Sequence, residues 1–167
     1  MLCSSSCQSH DGKSGVVSLT AVYHGPRPQR SSLPVLLATL HAFLLVHPTE
    51  TFILCLKEES ETPHPAFSTL VYNAFKPFAE KWVFSNRIPK LGEVRGKGIL
   101  MTRFESVPGS WGDGLGIHPS TWPDSRPEGF SWDCGGTTVR TQDWYRVPYF
   151  FQIPEKFQVV SLSLEVD

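Results

Sequence analysis

Charge is scarce in this chain. Asp, Glu, Lys and Arg make up 19% of its 167 residues, 15 basic against 16 acidic, for a formal net charge of -1 at pH 7. An average globular domain carries about 25%. Neither sign forms a long run, which argues against nucleic-acid binding by phosphate neutralisation and against a polybasic membrane anchor. Cysteine is scarce too: four are too few for a disulfide scaffold. Cys3 and Cys7 are four apart, but a zinc site wants a second such pair or histidines at matching spacing, and Cys134 is isolated; Cys55, inside an apolar run, reads as a small buried hydrophobe. No metal and no other cofactor is expected. Long hydrophobic runs are also missing. The most apolar stretch, Leu33 to Val46, is too short to span a bilayer, so no transmembrane segment is expected. The opening MLCSSSCQSHDGKSG has neither the basic nor the apolar region of a signal peptide, and the localisation stays open.

What the chain has in quantity is proline, 14 residues, and aromatics, 12%. The first predicts many loops and the second is too rich for disorder. The length suits one domain. Residues 1–15, Ser/Gly/Cys-rich and without periodicity, read as a disordered or misassigned tail, leaving 16–167 as the folded domain. VVSLTAVY (16–23) is a strand candidate, stopped by His24-Gly25-Pro26. Leu33, Leu36, Leu37, Leu40, Phe43 and Leu44 recur at helical spacing after Ser31-Ser32, and Pro48 ends that helix. TFILCLK (51–57) is apolar at nearly every position, as a strand covered on both faces would be. A second helix is predicted from about Pro65 to Trp82, interrupted by Pro77. GILMTRF (98–104) is a third strand and VRTQDWY (139–145) a fourth. Residues 105–138 read as a long loop, and 153–165 as weakly helical.

Alternating strands and helices predict an α/β fold, here a partial TIM-type βα barrel. His24, Lys57, Arg103 and the pair Asp143 and Tyr145 each fall at or just past the C-terminal end of a predicted strand. In such barrels those ends share one face, where active sites form. The set suits a polyhydroxylated, anionic ligand: a histidine to move a proton near neutral pH, two cations for an oxyanion, a carboxylate for hydroxyls and a flat phenol. Taken singly, each residue reads equally well as a salt bridge or buried hydrogen bond. Other motifs fail. GEVRGKG (92–98) has one residue too few for a phosphate loop and lacks the following Ser/Thr, GDGLG (112–116) misplaces its third glycine, and His41, His47, His64 and His118 read as surface, capping or loop residues. An open half-barrel would leave unpaired backbone groups on apolar strands such as TFILCLK.

VYHGP (22–26), HPTETFILCLKEE (47–59), IPKLGEVRGKGILMTRF (88–104), GIHPSTWPD (116–124) and TQDWY (141–145) resemble, in that order, the catalytic X region of the phosphatidylinositol-specific phospholipase C family. The resemblance is to its small single-domain bacterial and fungal members. It implies a phosphodiesterase that cleaves phosphatidylinositol to diacylglycerol and a cyclic inositol phosphate through attack of the inositol 2-hydroxyl. It implies His24 as the general acid for the leaving glycerol oxygen. Lys57, Arg103, Asp143 and Tyr145 match inositol-contacting positions, Tyr145 stacking on the ring, and Glu59 a supporting carboxylate. The implied partner is phosphatidylinositol or a related inositol phospholipid at a membrane surface.

The departures are as specific as the matches. Family members begin with a strand carrying the general base and continue with a D-x-R signature whose Arg contacts the phosphate. Upstream of His24 this sequence has no D-x-R, and His10 is the one histidine there. Members also continue past the point matched by Asp167. The sequence therefore reads as an interior segment of about half a barrel. Two further classes stand beside the enzyme: an inactive remnant or module that binds inositol phosphates, and an unrelated α/β enzyme such as a glycosidase, which would need paired carboxylates at strand ends.

Overall fold

The structure is a computed structural model describing residues 2–6, 21–24, 27–58, 66–104, 114–147 and 149–164. By its internal contacts the chain divides into two units, Met1–His118 and Pro119–Asp167, where the sequence predicted one domain.

The first unit is built on a six-stranded sheet in the order β3-β2-β1-β4-β6-β5. These strands are β1 (Leu2–Ser6), β2 (Ala21–His24), β3 (Arg27–Ser32), β4 (Phe52–Glu58), β5 (Trp82–Val83) and β6 (Gly98–Arg103). β1 pairs parallel to β4, β4 to β6, and β6 to β5, and the helices between them cover one face. This is the mixed α/β architecture that the alternating pattern implied; the described sheet is open, not a closed barrel.

Helix α1 (Leu33–Val46) begins just inside Ser32, with Pro34 in its first turn, and ends before Pro48. A proline costs nothing there because first-turn N–H groups have no intrahelical acceptor. Helix α2 (Phe67–Phe75) is shorter than the predicted 65–82. At Lys76 the chain tightens into a 3-10 helix running to Lys81, since the ring of Pro77 removes one helical donor and crowds the preceding turn. Leu33 and Leu37 of α1 and Phe67, Val71 and Phe75 of α2, at most 1% exposed, pack on Leu54, Leu56 and Leu100 of the sheet. Burying each such side chain contributes about 1.5–3 kcal/mol. Trp82 seats its ring edge-on to Phe75 (4.7 Å) and Phe52 (5.5 Å). Gly98 makes room for it: a Cβ there would stand 2.7 Å from the indole.

Three expectations change. Residues 2–6, placed in the tail, form β1, and the rest of 1–15 lies outside the described residues. Of the predicted strand 16–23, residues 16–20 lie outside the described residues, and the described part, in β2, runs antiparallel to both β1 and β3. Only two residues separate β2 from β3, and a connection that short cannot make the crossover a parallel pair requires. TFILCLK is not an edge either: β4 has a neighbour on both sides. The edges are β3, which carries Pro28 and Arg30, and the two-residue β5, both poor templates for strand addition.

The second unit contains a hairpin of β7 (Phe130–Cys134) and β8 (Thr137–Thr141). The predicted fourth barrel strand is thus half of a separate ribbon. Gly135 (φ 58°) and Gly136 (φ 85°) are both left-handed, the requirement of the two-residue turn whose twist matches its flanking strands. The chain continues through Phe150–Gln152, a short 3-10 turn, into helix α4 (Ile153–Leu164). Trp132 and Trp144 are buried, each with its indole N–H satisfied, by Thr141 Oγ1 (2.8 Å) and by the Arg146 carbonyl (2.9 Å). Between β5 and β6 in the first unit lies α3 (Leu91–Val94). The glycine-rich GEVRGKG segment turns there for packing, with the Gly96 N–H donating to the Glu50 carbonyl at 2.7 Å.

Candidate functional site

Lys57 and Arg103 occupy the C-terminal ends of neighbouring parallel strands and are direct register partners. Residues paired in this way share a sheet face, with strands about 4.8 Å apart. Each side chain is half-buried. The core residues Leu54, Leu56 and Leu100 alternate with them onto the helix-covered face, so the period of 2 along two apolar strands sends both cations to the other face. Two cations side by side at strand ends are groups that can bind an anionic oxygen.

The row extends further. Lys57 pairs with Ser4 of β1, and Ser4 with Tyr23 of β2. The backbone of His24, one residue past Tyr23, therefore stands about 10 Å from Lys57, two strand spacings away. The register thus sets His24 within one residue of the row of Lys57 and Arg103, at the end of a strand that runs the opposite way. Glu59 and His10 lie outside the described residues.

Asp143 and Tyr145 belong to the second unit and follow the end of β8. Asp143 Oδ2 accepts the Trp122 indole N–H at 2.6 Å, and a carboxylate has lone pairs left for a hydroxyl after one such bond. Trp122 is itself held edge-on by Phe130 (5.1 Å). The Tyr145 hydroxyl donates to Asp124, which also pairs with Arg146 at 2.8 Å. Arg146 lies 5.6 Å over the Tyr145 ring, which remains 53% exposed. The hydrogen bond to Asp124 holds the Tyr145 phenol above its ordinary pKa, with burial adding to the effect. Ser125 Oγ accepts the backbone N–H groups of Tyr145 (3.1 Å) and Arg146 (2.7 Å), fastening the two segments together.

The sequence reading missed the partners that orient these groups. Trp122 and Asp124 are two residues apart in the WPD segment, and each bonds one predicted site residue. His118, read from the sequence as a loop residue, lies in the first unit, and its partner there was not foreseen. Gly114–His118 comes alongside β6: the Ile117 N–H donates to the Leu100 carbonyl (2.9 Å) and the Thr102 N–H to the Ile117 carbonyl (2.9 Å). The fully buried Thr102 hydroxyl donates to the Leu115 carbonyl (2.9 Å) and stands 2.9 Å from His118 Nδ1. A hydroxyl has one proton, so with that proton on Leu115 the bond to His118 has Nδ1–H as donor. The signal available in the sequence was a polar Thr inside an otherwise apolar strand.

The class so defined is an α/β protein with paired cations at the ends of parallel strands, and a second unit presenting an aromatic–carboxylate cluster. No protein-family model matches the chain. The particular likeness is to bacterial phosphatidylinositol-specific phospholipase C. The 1-phosphatidylinositol phosphodiesterase of Listeria monocytogenes is 34% identical over 87 residues, 48% of this chain and 27% of that protein. A solved structure of the phosphatidylinositol-specific phospholipase C of Staphylococcus aureus superposes with a TM-score of 0.72 at 17% identity, covering 98% of this chain and 54% of that one. The F249X mutant of the S. aureus enzyme gives 0.66 at 21% identity, covering 89% and 52%. The chain thus spans about half the length of these solved structures and about a quarter of the curated relative. Among the described residues, no helix is long and apolar enough to cross a membrane.

Proposed function

We propose that the chain is a phosphodiesterase of the phosphatidylinositol-specific phospholipase C type, its sheet part of a TIM-type barrel. Its substrate is phosphatidylinositol or a related inositol phospholipid. Lys57 and Arg103 bind anionic and hydroxyl oxygens of the headgroup. Asp143, oriented by Trp122, accepts from ring hydroxyls, and Tyr145 offers its exposed face to the ring. His24 protonates the leaving glycerol oxygen as the inositol 2-hydroxyl attacks phosphorus, so that a cyclic phosphate forms and diacylglycerol departs. No residue of the sequence matches the family's general base, so the chain by itself is expected to turn over slowly or not at all; loss of a base costs about 10²–10⁴-fold.

The observation that carries the reading is the in-register pairing of Lys57 with Arg103 at the ends of parallel strands. The relatives' shared chemistry supplies the phosphodiester. The test is calorimetric titration with inositol 1-phosphate, alongside release of soluble inositol phosphate from phosphatidylinositol vesicles. Saturable binding that is weakened by Lys57→Ala and by Arg103→Ala supports the proposal. Any turnover should fall 10²–10⁴-fold in His24→Ala, with partial rescue by a leaving group of low pKa. Absence of headgroup binding, or turnover indifferent to His24, would refute it.

A further inference from the structure

Beside the start of β6 the first unit carries a groove of about 450 Å³, within the size range of small-ligand sites. Trp82 pairs with Gly98 where β5 and β6 begin, and Lys97 stands just before them. Lys97 is thus separated from Arg103 by the length of β6, about 20 Å. Trp82, Val83 and Val94 give the groove its apolar wall, and Ser85, Arg87, Glu93 and Lys97 its polar groups.

Those polar groups are unbalanced. Glu93 is the one carboxylate, and its Oε2 already accepts from Arg87 Nη1 at 2.7 Å. Facing it are the hydroxyl of Ser85, the ammonium of Lys97 and the further N–H groups of Arg87, none of which meets an acceptor among the described residues. Trp82 adds another donor: the residue is 5% exposed, and its buried indole N–H has no acceptor. The indoles of Trp122, Trp132 and Trp144 each have theirs. A buried donor left without an acceptor is an exception that asks for a partner, and here it belongs to the lining of a groove.

We propose that this groove is a binding site for a small organic anion, a carboxylate or a phosphate monoester borne on an apolar body. The anionic oxygens accept from Lys97, Arg87 and Ser85, the apolar body lies against Val83, Val94 and the indole, and the ligand supplies the acceptor that the Trp82 N–H lacks. The balance of groups selects this class. A cation would meet two like charges and a carboxylate already taken, and a neutral apolar molecule would strip water from donors without replacing it. A bare inorganic anion would leave the apolar wall unused. The inference does not rest on the phosphodiesterase reading, because no residue of the groove belongs to the headgroup set.

The test is a nuclear magnetic resonance titration of the isotope-labelled chain with phenyl phosphate and with benzoate, against inorganic phosphate and benzyl alcohol. At least one of the two organic anions is expected to shift the Trp82 indole resonance and the amides of 82–97 saturably, and the tighter of them tells phosphate from carboxylate. Inorganic phosphate and benzyl alcohol should each bind more weakly. Lys97→Gln, at an exposed position, should weaken binding about fivefold with an unchanged Tm, and Ser85→Ala should weaken it as well. No saturable shift with either organic anion, inorganic phosphate binding as tightly as phenyl phosphate, or binding indifferent to both variants would overturn the proposal. So would displacement of the probe by inositol 1-phosphate, which would put it at Lys57 and Arg103. Probe binding in a chain that takes up no inositol 1-phosphate would leave this inference standing and remove the phosphodiesterase one.

Discussion

Thr102→Val is the sharpest test of how the segment before the second unit is held. The substitution keeps the shape of a fully buried side chain and removes its hydroxyl. Two hydrogen bonds depend on that oxygen, one to the Leu115 carbonyl and one with His118 Nδ1, each at 2.9 Å. A typical intramolecular hydrogen bond contributes a net ~0.5–1.5 kcal/mol, and a buried group left unsatisfied costs ~1–3 kcal/mol. Leu115 and His118 are both half-buried, so water recovers part of that penalty. The expected loss is about 1–3 kcal/mol, or roughly 2–4 °C in Tm per kcal/mol for a chain of this size. Thr102→Ser, which keeps the hydroxyl and drops a methyl, separates the hydrogen bonds from packing. Urea denaturation of the parent, both variants and His118→Ala gives the comparison, and hydrogen exchange at residues 114–118 localises it. Slowed exchange, or a valine variant at least as stable as the serine one, would show that the hydroxyl does not hold this segment.

Gly116→Ala should be more damaging. Gly116 has φ +77°, and an added Cβ would stand 2.1 Å from the Leu100 carbonyl oxygen. The segment must leave β6, breaking the backbone bonds of Ile117, at a cost of about 3 kcal/mol or more, readable in the same denaturation series. Tyr145 offers a pH test. Its phenol pKa is raised, chiefly by the hydrogen bond to Asp124. The bond's contribution to stability is therefore full below the ordinary tyrosine range and is lost as pH climbs through the raised value. Asp124→Asn should bring the titration back toward 10.0, followed by ultraviolet difference absorbance. An unmoved titration would show that the carboxylate does not set it.

The features legible in the sequence are those with a local cause. The spacing of Leu33, Leu37 and Leu44 specified α1, and Pro48 specified its end. The unbroken apolarity of TFILCLK and GILMTRF marked two interior strands, and the same alternation placed Lys57 and Arg103 at their ends. The Gly135-Gly136 hairpin was also written locally, but it was read as loop because the preceding prolines and glycines masked its period. Strand direction is another matter. Whether Ala21–His24 runs with or against its neighbour depends on which strand it meets, and side-chain alternation is the same either way. The bonds of Thr102 to Leu115 and His118, and of Asp143 to Trp122, join residues 13, 16 and 21 positions apart. Periodicity has no term for such pairs, since it reports which face a side chain occupies and not what comes to lie against it. The apolar outer face of α1, with Val35, Leu45 and Val46 exposed, shows the same division. Its composition was in plain view, but only packing decided which leucines the core would take and which side would be left outside.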